Sequence, residues 1–260
     1  MKRAAFYIIT LCIAVLSAVM VFGAYGEETP GALPLAKQYY EHGDYDKALD
    51  IYTGLCRDGI ESGPIYYNAG NCCLQKDEST GKAIFFYEMA RSLMPRDPDL
   101  SVNLRYARSL MKQPDTFAAE PFILTILKRA FDSFTLGEAF TLWNIAYFGF
   151  SILLVLSLFM GKISRPLGAA AIMLLCLTLV SIIPLSDKIA HNERAGFIIT
   201  PTAEARLEPF EDAALKFTVY EGAQVRVLKA TKKWYKIKCP NGKIGWIPIE
   251  SLWQLAAPLL

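Results

Sequence analysis

Two long apolar runs, Ala139–Met160 and Leu167–Leu185, dominate the hydropathy pattern of the chain, and neither contains Asp, Glu, Lys or Arg. At 1.5 Å per residue each makes a helix about 30 Å long, the thickness of a bilayer core. The stretch between them, Gly161–Pro166, is short and carries Lys162 and Arg165. The pattern predicts a transmembrane helical hairpin over residues 139–185, with everything before and after it on one side of the membrane. A third apolar run, Ala4–Phe22, follows Lys2 and Arg3 and gives way to Gly23, Ala24 and Gly26. A positive start, an apolar middle and small residues near the exit describe a secretory signal over residues 1–26. An uncleaved anchor is the alternative, and either sends the following residues across the membrane.

Residues 35–112 have helical periodicity and an internal repeat. Ala48, Tyr52 and Leu55 recur as Ala83, Tyr87 and Ala90, displaced by 35 positions, and Ala36 and Tyr39 recur as Gly70 and Cys73, displaced by 34. One extra residue in the turn within the repeat reconciles the two shifts. The stretch from Tyr66 to Leu74 followed by Lys82 to Pro98 resembles the tetratricopeptide repeat (TPR). The resemblance puts Gly70 at a close helix crossing, Ala83 and Ala90 at small packing positions, Tyr87 at the large one and Pro95 after the second helix. The first copy matches at Tyr39, Gly43, Ala48 and Tyr52, with its first helix shortened by Pro34, and Asp99–Lys112 makes a capping helix. Such arrays bind peptides or proteins in a concave groove, and the family spacing points Lys37, Tyr40, Tyr67, Asn71 and Tyr106 into it. The alternative is that the tyrosines pack and the polar residues are solvated. Two units are few for a solenoid, because a repeat cannot bury its apolar face alone, so help from a partner or the membrane is expected.

Residues 119–136 form a shorter amphipathic pattern. Phe122, Ile123, Ile126, Leu127, Ala130, Phe131 and Phe134 fall on one helical face, with Lys128, Arg129 and Asp132 opposite. An interfacial helix is predicted, and packing on the repeat array is the alternative.

From residue 195 to residue 253 the pattern turns to short β-rich runs separated by Pro201-Thr202, Glu221-Gly222, Thr231-Lys232-Lys233 and Pro240-Asn241-Gly242. Asn241-Gly242 signals a tight hairpin, since both central residues of a type I′ turn need positive φ. Tyr220-Glu221-Gly222 before a Val-rich strand, the Trp234-Tyr235 pair, and Gly245-Trp246 after the hairpin resemble the bacterial SH3 (SH3b) domain. Domains of that family are associated with cell-wall or peptide ligands, which implies a groove lined by Trp234, Tyr235 and Trp246. Closing the barrel is the other role open to these aromatics.

Composition sharpens this picture. With 53% hydrophobic and 20% charged residues in 260, the chain is too apolar for an ordinary soluble enzyme, and a net charge of +2 gives no sign of a nucleic-acid binder. Cys56, Cys72, Cys73 and Cys239 lie in the polar parts without C-x-x-C spacing, so buried small side chains are expected, with a disulfide from Cys56 to Cys72 or Cys73 as the alternative. Only His42 and His191 are present, on opposite sides of the hairpin, and no phosphate-binding loop, H-E-x-x-H or G-x-S-x-G occurs. No catalytic residue, metal site or cofactor is expected. Lys162 and Arg165 favour a cytoplasmic hairpin turn, Lys128, Arg129, Lys188 and Arg194 pull the other way, and the export signal decides for a cytoplasmic turn with both polar regions in the periplasm.

The fold class is thus a multidomain membrane protein: an all-α TPR helical repeat, a two-helix transmembrane hairpin and an all-β SH3-like small barrel. That order of parts resembles the BatE proteins of bacterial aerotolerance (Bat) operons. The resemblance implies an inner-membrane protein beside Bat partners with von Willebrand A domains and a MoxR-type ATPase. The expected function is a non-enzymatic interaction scaffold, with a peptidoglycan sensor as the alternative.

Overall fold

The computed structural model describes residues 31–76, 79–112, 126, 130–160 and 165–255. The expected signal (1–26), residues 161–164 of the hairpin turn and most of the amphipathic stretch 119–136 lie outside these. The described residues fall into two compact units, one between residues 127 and 188, the other combining residues 27–126 with 189–260.

The second unit begins with five helices: α1 Ala32–Glu41, α2 Tyr45–Arg57, α3 Gly63–Gln75, α4 Thr80–Leu93 and α5 Pro98–Ser109. Helix α1, at 10 residues, is shorter than the 13-residue α3, and Pro34 lies near its start. The proline sits in the first turn, where its missing N–H would have had no intrahelical acceptor anyway. Gly43 turns the chain between α1 and α2 at φ +80°, a conformation closed to most L-residues. At α3 and α4 the crossing is close because Gly70 lacks a side chain: a Cβ there would meet the Tyr87 ring at 2.7 Å. Ser79 caps α4 by accepting the Lys82 N–H at 3.3 Å, and Asp97 caps α5 by accepting that of Leu100 at 2.8 Å. The buried carboxylate of Glu88 ties α4 to α5, meeting Arg91 at 2.6 Å on one oxygen and Arg108 on the other. Tyr52, Ile65, Cys72, Ile84 and Leu100 fill the space between the helices.

The C-terminal part is an antiparallel sheet of β1 Ala195–Ile198, β2 Thr202–Arg206, β3 Leu215–Tyr220, β4 Gln224–Ala230, β5 Trp234–Lys238, β6 Ile244–Pro248 and β7 Leu252–Gln254. Its strand order is β3-β2-β6-β5-β4-β1-β7. Ile198, Ala203, Val219, Val225, Ile237, Ile247 and Leu252, from all seven strands, share one core, so the sheet curls around its inner face. The β5–β6 hairpin forms where expected but with another turn: the Gly242 N–H bonds the Cys239 carbonyl at 2.9 Å, so Pro240 and Asn241 are the central residues and Gly242 follows them at φ +84°, in place of a type I′ turn centred on Asn241-Gly242. Strand β1 is buried on both sides: Ile198 joins the sheet core, while Ala195 and Phe197 join the core of the helices.

Array and sheet are therefore one body. Phe85 of α4 packs edge-on against Phe197 and Trp253, with ring centroids 6.2 and 5.3 Å away, and Phe86 lies 5.8 Å from Trp253. Glu221, in the β3–β4 turn, accepts the Gly81 N–H at 2.9 Å and the Ser79 hydroxyl at 3.0 Å. A carboxylate from the sheet thus satisfies a donor at the positive end of α4. The array's apolar flank is covered by the chain's own sheet, where a partner or the membrane was expected.

The first unit contains α6 Leu136–Met160 and most of α7 Arg165–Arg194, whose last residues, from Ile189, belong to the second. Helix α6 starts before the apolar run because Thr135 and Glu138 make a reciprocal capping box, with bonds of 2.9 and 3.1 Å. Helix α7 continues past Leu185 to Arg194. Its stretch Pro166–Ala190 is long and apolar enough to cross a membrane. The Trp143 indole donates to the Thr178 carbonyl at 3.3 Å, which holds α6 against α7.

A Cβ at Gly81 would sit 2.2 Å from the Ile198 carbonyl oxygen. Gly81→Ala is accordingly expected to lower stability by about 2 kcal/mol, although alanine alone favours a helix by about 1 kcal/mol. Denaturant unfolding of the solubilised full chain, followed by circular dichroism, measures the sign.

Candidate functional site

Two surfaces of the array–sheet body carry the residues singled out in the sequence. On the array, the first helices of successive pairs line up Tyr40 from α1, Tyr67 and Asn71 from α3, and Asn103 from α5. Tyr67 and Asn71 are four apart and share a helix face. Asn103 donates to the Tyr67 hydroxyl at 2.9 Å and to the Asn71 carbonyl oxygen at 3.0 Å, and that oxygen also accepts the Tyr87 hydroxyl at 2.7 Å. The Tyr40 ring meets Tyr45 edge-on at 5.3 Å. Burial pushes the Tyr40 hydroxyl above its ordinary range, nearby Cys72 adds to this, and a hydrogen bond with Gln75 opposes it.

The structure thus joins Tyr67 and Asn71 in one polar network, with Tyr40 beside it. Lys37 is exposed and lies 3.8 Å from Glu41 on its own helix. Tyr106 is 56% exposed and stands apart from the network. Asn103, which ties α5 to α3, was missed. Its signal was its place three residues before Tyr106 on the predicted capping helix, which lets a polar side chain face the same side as Asn71.

Such a network can orient a peptide backbone, because amide and phenol groups both donate and accept. It has no nucleophile. Cys56, Cys72 and Cys73 are free thiols, and burial pushes them up to about 11, about 12 and about 12. At neutral pH they are protonated and inert. His42 sits in a turn with Nδ1 2.7 Å from the Gln38 carbonyl. Among the described residues no cluster of His, Cys, Asp and Glu suits a metal ion.

On the sheet, alternation divides the three aromatics. Tyr235 turns inward, packed against the sheet core. Trp234 and Trp246 fall on the outer face, Trp234 buried and Trp246 half-buried with the Lys236 ammonium 5.8 Å from its ring centroid. The outer face has two halves. The array covers β1 and β7 through Phe197 and Trp253, while β4, β5, β6 and β2 remain open. Glu221 belongs to the covered half, and its role was illegible in sequence because its partners lie 140 and 142 positions away.

A family model described as a bacterial SH3 domain matches residues 200–254. The C-terminal sheet is such a domain, which points to binding of protein or peptidoglycan. The match begins after β1, the strand that joins the sheet to the array. No curated protein matches the chain.

The buried thiols and Tyr52, also raised to about 12, set an alkaline limit. In the unfolded chain thiols ionise near pH 8.5 and phenols near pH 10, while the native groups keep their protons to higher pH. Between roughly pH 9 and 12 the unfolded state alone releases protons, so stability falls as pH rises there and is flat below roughly pH 8. Urea midpoints of the helical signal at a series of pH values check this.

Proposed function

We propose that this protein is a membrane-anchored, non-enzymatic interaction scaffold that presents a TPR-type peptide groove and an SH3b domain as one rigid receptor. The observation that carries this is the shared core of Phe85, Phe86, Phe197 and Trp253, which locks the groove and the open sheet face in a fixed geometry. A scaffold gains from such rigidity because two sites held at a set spacing bind a two-part partner without a further ordering cost. The helix pairs, the Gly70–Tyr87 crossing and the row formed by Tyr40, Tyr67, Asn71 and Asn103 support the TPR assignment.

Membrane anchoring is supported by the apolar stretch Pro166–Ala190 and by the exposure of Ile145, Ile152, Ile172, Met173 and Ile183, which water alone would not tolerate as one surface. On this reading the export signal expected over residues 1–26 carries the receptor to the periplasmic face of the inner membrane, where the anchor holds it. The order of parts makes it a BatE-type component of a Bat assembly, whose partners carry von Willebrand A domains and work with a MoxR-type ATPase. The second reading is a peptidoglycan receptor, favoured by the half-buried Trp246 beside Lys236 on the open face.

Deleting the array would bare Phe197 and Trp253, so point variants make the cleaner test. Asn71→Ala with Asn103→Ala is expected to reduce co-purifying protein at least about tenfold, the effect of losing roughly 1.4 kcal/mol of binding, with the sheet signal intact. Retention of every co-purifying protein would remove the groove from the scaffold reading. Binding of purified peptidoglycan that is lost in Trp246→Ala supports the receptor. In a topology assay, periplasm-active reporters at Asp115 and after Leu260 are both expected to be active, and a cytoplasmic signal from either overturns the compartment.

A further inference from the structure

The open half of the sheet carries a charge pattern that a groove for peptide does not require. Strand register sets Arg206 opposite Trp246, Trp246 opposite Lys236 and Lys236 opposite Lys229, a continuous row across β2, β6, β5 and β4. In a neighbouring row Arg226 stands opposite Lys238. Like charges directly opposed across a ladder destabilise a sheet in water, and here two such pairs occupy one hairpin. From Leu215 to Pro248 the sequence holds eight Lys and Arg against one acid, Glu221, and that acid is turned to Ser79 and Gly81 of the array. Glu204, also on the outer face, is paired with Arg206 at 2.7 Å. Among the described residues no ion pair reaches Arg226, Lys229, Lys236 or Lys238.

The position of this face in the chain names its counter-charge. Arg226 is the ladder partner of Ala195, the first residue of β1. The membrane-length stretch of α7 ends at Ala190 and the helix continues to Arg194, so Ala195 follows about 7.5 Å further along it. The cationic rows begin one strand spacing further on, about 4.8 Å. A surface that close at hand is the headgroup layer of whatever bilayer holds α7.

We propose that the outer face formed by Arg206, Arg226, Lys229, Lys236, Lys238 and Trp246 docks onto the anionic phospholipid headgroups of that bilayer. The proposal rests on the membrane anchoring of α7. Lysine and arginine stems extend their charges to phosphate, and an indole settles at headgroup depth. Lys232 and Lys233, exposed in the β4–β5 turn, widen the contact. The docked lipid then neutralises the two opposed pairs.

The test uses the full chain in nanodiscs of phosphatidylcholine alone or with about 30 mol% phosphatidylglycerol. Lysine acetylation rates are read by peptide mass spectrometry, with exposed Lys37 of the array as internal reference. The expected result is at least about fivefold slower labelling of Lys229, Lys236 and Lys238 in the anionic discs, reversed in about 0.5 M salt, with Lys37 unchanged. Arg226→Gln with Lys238→Gln, both exposed, should abolish most of the protection at Lys229 while leaving circular dichroism unchanged. Equal rates in the two discs would overturn the proposal and leave the anchor standing. Protection that appears only when polyglutamate or peptidoglycan fragments are added to phosphatidylcholine discs would also overturn it, assigning the face to a polymer. A chain that enters neither disc refutes the anchor, and the lipid contact with it.

Discussion

Helices stacked on one another keep an apolar flank beyond their mutual contacts, and in this chain the flank of α4 carries Phe85 and Phe86. Each buried phenyl contributes roughly 1.5–3 kcal/mol, more than a small array can forgo. Strands β1 and β7 meet that need with Phe197 and Trp253. The rest of the body follows from this contact. Gly81 and Gly222 give up side chains so that the N-terminal end of α4 approaches the β3–β4 turn, and Glu221 satisfies the backbone and hydroxyl donors brought there. Lys82 reaches over the Trp253 ring, with its ammonium 5.5 Å from the centroid, and shields the seam.

The same contact decides what remains available for function. One half of the outer sheet face is consumed by the array, and the row of Tyr40, Tyr67, Asn71 and Asn103 belongs to α1, α3 and α5. Two surfaces are left with fixed spacing, one uncharged and rich in amides and phenols, the other cationic with a central indole.

Local signals made most of the fold legible. Gly70, Ala83, Tyr87 and Ala90 announced the helix crossing through the repeat, and Pro240-Asn241-Gly242 announced the hairpin, although its turn centres one residue earlier than a type I′ turn on Asn241-Gly242 would. The stretch Gly196 to Ile199 falls among the β-rich runs of the sequence, but the helices that cover the second face of this strand were not legible. Union of the two modules depends on Ser79, Gly81 and Glu221, residues ordinary in their own segments that gain meaning only across more than a hundred positions. The start of α6 was readable in Thr135 and Glu138, a capping box overshadowed by the apolar run behind it. On the sheet, Trp234-Tyr235 looked like one aromatic site, but a period of two sends adjacent residues to opposite faces. That same period gathers the cations, which are scattered in sequence, into two rows.

Native-state hydrogen exchange on the solubilised full chain tests the union of array and sheet most directly. The amides of α4, β1 and β7 should open with one common free energy, and Phe85→Ala should lower all three by the same amount, about 3 kcal/mol. Exchange in which β1 and β7 open independently of α4, or in which Phe85→Ala weakens the helices alone, would contradict the account.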